Sequence, residues 1–133
     1  MTDARYADLG KITEYLLTRD MARLAEINAR ARRLHVSRLA LGHAAVAELP
    51  KPGPRAPADL QCYAKWQTWS DQSRRRIAEA EAELAEERAA ALKTLKRSFG
   101  QGQVVAHLRV AAERLARRER IARAERDGRP PED

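Results

Sequence analysis

A cluster of prolines in the middle of the chain constrains its fold more than any other feature. Four prolines and Gly53 fall in the segment LPKPGPRAP, residues 49–57. Proline lacks the backbone N–H group and its ring clashes with the preceding helical turn, so this segment cannot be helical. Long stretches free of proline lie on both sides. The sequence therefore predicts a turn at 49–57 between two long elements.

Both flanking stretches, about 3–48 and about 58–99, show helical spacing. Apolar residues recur there in steps of three and four, which places them on one face of a helix. In the first stretch they are Leu17, Met21, Leu24, Ile27, Ala31, Leu34, Leu41 and Ala45, with Arg38 as a polar interruption, and in the second they are Ile77, Ala80, Leu84, Ala91, Leu95 and Phe99. Each stripe can be buried only against a partner, so the predicted fold is all-α, a long antiparallel two-helix coiled-coil hairpin.

Composition agrees with a single elongated domain over residues 1–127. Aromatic residues make up 5% of the 133 residues and charged residues 34%, a profile typical of long helices rather than of a wide globular core. A two-helix hairpin offers no concave, desolvated pocket, so we predict no catalytic residues and no enzyme activity. His35, His43, His107 and Cys62 lack the paired spacing of a zinc site, and we predict neither metal nor cofactor.

Folding the chain symmetrically about Gly53 pairs residue i with a residue near 106 − i. This register sets Tyr63, Trp66 and Trp69 opposite the small residues around Ser37, Ala40, Gly42 and Ala44. Large rings against small residues would pack well. Any ring left exposed is a candidate contact for a partner protein.

Gly100 and Gly102 interrupt the second stretch where, in this register, its partner ends. They predict a hinge at 100–102, followed by an overhanging C-terminal helix at 103–126 and a disordered tail at 128–133. Whether residues 103–126 continue the second helix or fold away stays open. Leu108, Leu115, Arg114, Arg117 and Arg118 lie in this segment, which reads as a soluble face, a nucleic-acid contact or, as we favour, an anchor for a protein partner.

An arm of about 45 residues, a Pro/Gly turn, a longer second arm and the run KRSFGQGQ before an Arg/Ala-rich helix resemble the small coiled-coil proteins of bacterial flagellar and type III export, the FliJ and YscO family. The resemblance covers almost the whole chain and rests on architecture, size and basicity. It implies a stalk similar to the γ-subunit hairpin of rotary ATP synthases, whose terminal end enters the hexameric export ATPase. A second contact would reach the export gate or escort substrates and chaperones.

Carried onto this chain, the resemblance assigns the ATPase contact to the end with Arg5, Lys11, Arg114, Arg117 and Arg118. The second contact falls near Tyr63, Trp66 and Trp69. The full set of predicted partner-binding residues is Tyr63, Trp66, Trp69, Phe99, Leu108, Arg114, Leu115, Arg117 and Arg118.

The net charge of +7 motivates an alternative, a nucleic-acid-binding helical protein. A homo-oligomeric coiled-coil scaffold is the other alternative, since self-association would also cover the overhanging helix. The lone Cys62 and the absence of a long apolar run predict a cytoplasmic protein without membrane insertion, with a peripheral position at the inner face of the cell membrane left open.

Overall fold

The computed structural model describes residues 2–47 and 55–128, apart from the side chains of Thr2 and Asp3. They form two helices, α1 from Thr2–Ala47 and α2 from Pro57–Arg126, and no strand occurs in these two ranges. The predicted all-α hairpin is therefore confirmed. Most of the predicted turn, residues 49–54, and most of the predicted tail, residues 129–133, lie outside the described residues.

The ends of α2 follow from local chemistry. Pro57 occupies the first helical position, where a backbone N–H group would have no partner within the helix, so its absence costs nothing. Asp59 places a negative charge in the first turn, where the helix dipole favours it. At the other end Gly128 adopts a φ of 68°, the left-handed conformation that ends helices, and its N–H donates to the carbonyl of Glu125 at 3.3 Å. α2 thus stops at a glycine.

The hinge predicted at Gly100 and Gly102 is wrong. Both glycines lie inside the unbroken helix α2, so residues 103–126 continue it rather than fold away. A glycine inside a helix costs only about 1 kcal/mol relative to alanine, and the packing of a long helix outweighs that cost. Gly102 also faces Thr13 of α1, and a Cβ added at Gly102 would lie 3.9 Å from the Cβ of Thr13.

The chain divides into two compact units. Unit 1 comprises Met1–Ala22 with Leu92–Asp133, and unit 2 comprises Arg23–Ala91. In each unit a segment of α1 packs against a segment of α2. The cross-helix contacts within each unit pair rising residue numbers in α1 with falling numbers in α2, so the two segments run antiparallel.

Unit 2 contains the apolar core of the described residues. Ile27, Leu84 and Ala91 are the buried apolar residues, each 3–4% exposed. Leu24, Ala31 and Leu34 pack against them from α1. This seam matches the stripe predicted from the steps of three and four residues, and it is as thin as the alanine content of α2 implies.

Polar bonds flank the seam of unit 2. Arg30 pairs with Glu87 at 3.2 Å and Arg38 with Glu81 at 2.8 Å. The Arg88 Nε group donates to Asn28 at 3.1 Å. These side chains are largely exposed, so each bond contributes little to stability. These bonds show which residues of the two helices lie level with each other.

The seam of unit 1 is polar at its centre. Asp20 and Ser98 are buried, at 4% and 5% exposure, and the Ser98 hydroxyl donates a hydrogen bond to the Asp20 carboxylate across the two helices. Arg19, which is exposed on the helix surface, forms an ion pair with the same carboxylate, with 3.2 Å between its Nη2 atom and the Asp20 Oδ1 atom. A buried carboxylate needs such partners because burial without them is costly.

Two residues predicted for the seam are exposed instead. Met21 is 56% exposed and Phe99 is 54% exposed, while Asp20 and Ser98 take their places. The strict alternation of three- and four-residue steps through the seam of α1 reaches position 20 rather than 21. A helix cannot rotate locally for one apolar side chain without misaligning the rest of its seam, so the polar residue is buried.

The predicted register is also wrong. Arg30 bonds Glu87 and Asp20 bonds Ser98, so residue i lies level with a residue near 117 − i rather than 106 − i. Ser37 and Ala44 are therefore level with residues near 80 and 73, not with the aromatic cluster. The packing of residues such as Ile27 and Leu84 sets this register, and the proline positions do not predict it. α2 passes the level of Thr2 near residue 115, and residues 116–126 overhang it.

Candidate protein-binding surface

Unit 1 exposes a row of large apolar side chains outside its seam. Its members, called the apolar row below, are Leu9, Ile12, Val104, Leu108 and Leu115, which are between 40% and 58% exposed. Single exposed apolar residues are ordinary on protein surfaces, whereas contiguous ones often mark an interaction site.

Helical geometry puts the members of the apolar row on one flank of unit 1. Leu9 and Ile12 each precede a seam position of α1 by one residue, and Val104 likewise precedes Val105 on α2. Residues that precede seam positions in two antiparallel helices lie on the same flank of the pair. The contacts of Thr13 with Gly102 and of Asp20 with Ser98 set Ile12 level with residues 103–106 and Leu9 level with residues 106–109, so Val104 and Leu108 lie close to their levels.

The charges beside the apolar row are mainly basic. Arg5, Arg19 and Arg97 lie on the same flank of the helices by their spacing, near the two ends of the row. Asp8 and Glu119 lie farther toward its edges, and the arginines outnumber them. A basic rim around an apolar strip is complementary to an amphipathic helix with acidic edges.

The residues predicted as partner contacts in unit 1 are exposed but do not form one surface. Leu108 and Leu115 are seven residues apart and belong to the apolar row. Phe99 lies on the opposite flank of α2 from Leu108, because the nine-residue step between them corresponds to about two and a half helical turns. Arg114, Arg117 and Arg118 are exposed and point away from the seam. Leu108 and Leu115 are thus the predicted contacts that the apolar row brings together.

The aromatic cluster lies in unit 2. The rings of Tyr63 and Trp66 stack on each other, with centroids 6.2 Å apart and planes 26° from parallel, and both side chains are half-buried. Trp69 is 53% exposed. The corrected register removes the predicted packing against Ser37 and Gly42, so Trp69 is the ring most available to a partner.

Sequence reasoning missed the α1 half of the apolar row. The spacing of Leu9, Ile12 and Leu16 is itself a helical signal, one residue out of phase with the seam. This half of the row can be found from the sequence by extending the seam positions of α1 from Leu24 toward the N-terminus and noting which apolar residues fall outside them. Lys11, predicted at the ATPase contact, is exposed on a different face of α1.

Open grooves between the helices of unit 2 include the following two. One, about 250 Å³, is lined by side chains that include Arg30, Leu34, Leu84 and Glu87. The other, about 530 Å³, is lined by Arg38, Gly42, Arg74, Arg75 and Ala78.

Within residues 2–47 and 55–128, no group of three or more His, Cys, Asp or Glu side chains is arranged to hold a metal ion. Neither α1 nor α2 contains a segment long and apolar enough to cross a membrane.

Comparison of the chain with protein-family models, with curated proteins and with solved structures gives no match.

Proposed function

We propose that this chain is a non-enzymatic helical-hairpin adaptor that binds a protein partner through the apolar row of unit 1. The observation that carries the proposal is the row itself. Two antiparallel helices already bury their seam, yet Ile12 and Val104 remain exposed at the same level on one flank. A third helix laid along that flank would remove these side chains from water, at roughly 25 cal/mol for each Å² of apolar surface buried.

The charges favour a foreign helix over a second copy of the chain. Both ends of the row carry arginines, with Arg5 at one end and Arg19 and Arg97 at the other. Two copies related by a twofold axis would bring arginine-bearing ends together, which like-charge repulsion opposes. An amphipathic partner helix with Glu or Asp along its edges meets no such repulsion.

The resemblance to the flagellar and type III export stalk proteins names the first partner to test. In that role the adaptor would contact the hexameric export ATPase and influence its hydrolysis of ATP. The support is the helical hairpin with exposed apolar and basic residues near the chain termini, and the assignment of the ATPase remains part of the proposal.

A binding experiment with matched variants tests the adaptor role. The purified chain is mixed with the export ATPase of its own cell, and complex formation and ATP turnover are measured. We expect binding and a changed turnover for the native chain. The double variant Val104→Ser and Leu108→Ser should lose both, because it removes the centre of the row while leaving the seam intact.

Val36→Ser is the matched control, since Val36 is 64% exposed but belongs to unit 2 and is not a member of the row. It should bind as the native chain does. If the native chain neither binds the ATPase nor changes its turnover, the ATPase assignment is wrong. If Val36→Ser disrupts binding as strongly as the double variant, the apolar row is not the docking surface.

A further inference from the structure

The larger of the two grooves described in unit 2 is lined by three arginines and two small residues. We propose that the groove formed by Arg38, Gly42, Arg74, Arg75 and Ala78, called the basic groove below, binds a short acidic peptide segment of a partner protein. This inference is independent of the apolar row, which belongs to unit 1.

The shape of the basic groove comes from two small residues. Gly42 on α1 and Ala78 on α2 form its floor. Apart from the neighbouring residues and backbone of α1, no atom lies within 4 Å of the place where a Cβ of Gly42 would stand. The spacing from Arg38 to Gly42 and from Arg74 to Ala78 is four residues in each helix. The groove is therefore about one helical turn long, or roughly 6 Å, which is enough for one or two side chains of a bound peptide.

The walls of the groove supply guanidinium groups with free hydrogen-bonding capacity. Arg38 already pairs with Glu81. None of the ion pairs formed among the described residues includes Arg74 or Arg75. Asp71, one helical turn before Arg75, is likewise not paired with it. Arginine binds carboxylates through two parallel N–H···O bonds, so adjacent free guanidinium groups fit a pair of carboxylates.

The surroundings of the groove favour a short acidic peptide over a nucleic acid. Five glutamates, at positions 79, 81, 83, 86 and 87, follow immediately on α2. A nucleic-acid strand carries one charge at every nucleotide and would have to run past these glutamates. An acidic pair in a peptide ends within the groove, where the basic charge is confined.

A peptide titration tests the inference on the full chain. The probe is a capped hexapeptide with two central glutamates between alanines, and its twin carries two glutamines instead. Binding is followed by nuclear magnetic resonance at low salt, with the backbone amide of Gly42 and the Nε–H groups of Arg74 and Arg75 as reporters. We expect saturable shifts of these signals with the glutamate peptide and none with the glutamine peptide.

Three variants separate charge from shape. Arg74→Gln with Arg75→Gln should weaken binding by about tenfold or more, because it removes the charged donors. Gly42→Leu should abolish binding by filling the floor while leaving the charges in place. Arg76→Gln is the matched control, since Arg76 is the next residue along α2 but does not line the groove. It should weaken binding by no more than about twofold.

Several results would overturn the inference. They are equal shifts with the glutamine peptide, equal weakening by Arg76→Gln, or unchanged binding by Gly42→Leu with its helical circular dichroism intact. Tighter binding of a single-stranded oligonucleotide than of the glutamate peptide, at the same reporters, would also refute it and make the groove a nucleic-acid contact. Circular dichroism of each variant checks that the hairpin still folds.

Discussion

At the scale of single residues, the least expected feature is the buried Asp20. Its carboxylate accepts a hydrogen bond from Ser98 across the two helices and pairs with Arg19. A lone polar residue in a helical seam can specify register at a cost in stability, because misaligned partners leave it without a bond. Asp20 and Ser98 occupy the seam of unit 1 in this way.

A double-mutant cycle tests the coupling between Asp20 and Ser98. Asp20→Ala and Ser98→Ala should each lower the free energy of unfolding by about 1–3 kcal/mol, because each breaks the buried hydrogen bond between the two side chains. The double variant Asp20→Ala with Ser98→Ala closes the cycle and should lose less stability than the sum of the two single losses, since it removes both polar groups at once. Urea denaturation provides the measurement. Single effects that simply add would show that the two side chains act independently.

The glycines of α2 give a second prediction. Gly100 and Gly102 have helical backbones, and a Cβ at Gly102 makes only an ordinary contact with Thr13. Gly100→Ala and Gly102→Ala should therefore each raise stability by about 0.5–1 kcal/mol. Gly128→Ala is the contrasting variant, because its φ of 68° strains an alanine. Thermal unfolding followed by circular dichroism measures all three. A lower melting temperature for Gly100→Ala would contradict the prediction and indicate that the native fold requires glycine at this position.

At the scale of the helices, the buried apolar residues of the described ranges are concentrated in the seam of unit 2. Leu84 is 4% exposed and packs with Ile27, whereas Leu115 in unit 1 is 58% exposed. Leu84→Ala should lower the free energy of unfolding by about 2–4 kcal/mol through lost burial and a cavity. Leu115→Ala removes the same atoms from an exposed site and should change it by no more than about 0.5 kcal/mol. Equal urea midpoints for the two variants would contradict this account of the core.

The helices themselves were predictable, and their alignment was not. Proline positions and the steps of three and four residues fixed the two helices, the approximate start of α2 and most of the seam in unit 2. By spacing alone, either Asp20 or Met21 could occupy the seam position between Leu17 and Leu24. The apolar side chain of Met21 made it the predicted residue, whereas the structure buries Asp20. The register depends on the sum of many weak contacts along the seam, such as that between Thr13 and Gly102, which no local pattern reveals.

The candidate site was predictable only in part for the same reason. Leu108 and Leu115 were identified as exposed apolar residues of α2, but Leu9 and Ile12 join them only once the register is known. The basic groove also depends on register, since it brings Gly42 of α1 level with Arg74 and Arg75 of α2.

At the scale of the whole molecule, the distribution of charge favours the proposed adaptor over the nucleic-acid-binding alternative. The net charge is +7, yet the 26 basic residues are interleaved with 19 acidic ones. In the overhanging helix, Glu119 and Glu125 alternate with the arginines. A nucleic-acid-binding surface needs basic residues clustered along a continuous path, because affinity grows with the number of phosphates contacted.

We therefore expect only weak, sequence-independent binding to nucleic acid. Fluorescence anisotropy with a labelled DNA duplex should show binding at low salt and a Kd weaker than about 10⁻⁴ M at physiological salt, as for proteins that bind through diffuse charge. The logarithm of the binding constant should fall with the logarithm of the salt concentration, with a slope no steeper than about −3, because few phosphates are contacted at once. Sub-micromolar, sequence-dependent binding at physiological salt would instead identify nucleic acid as the partner and displace the adaptor proposal.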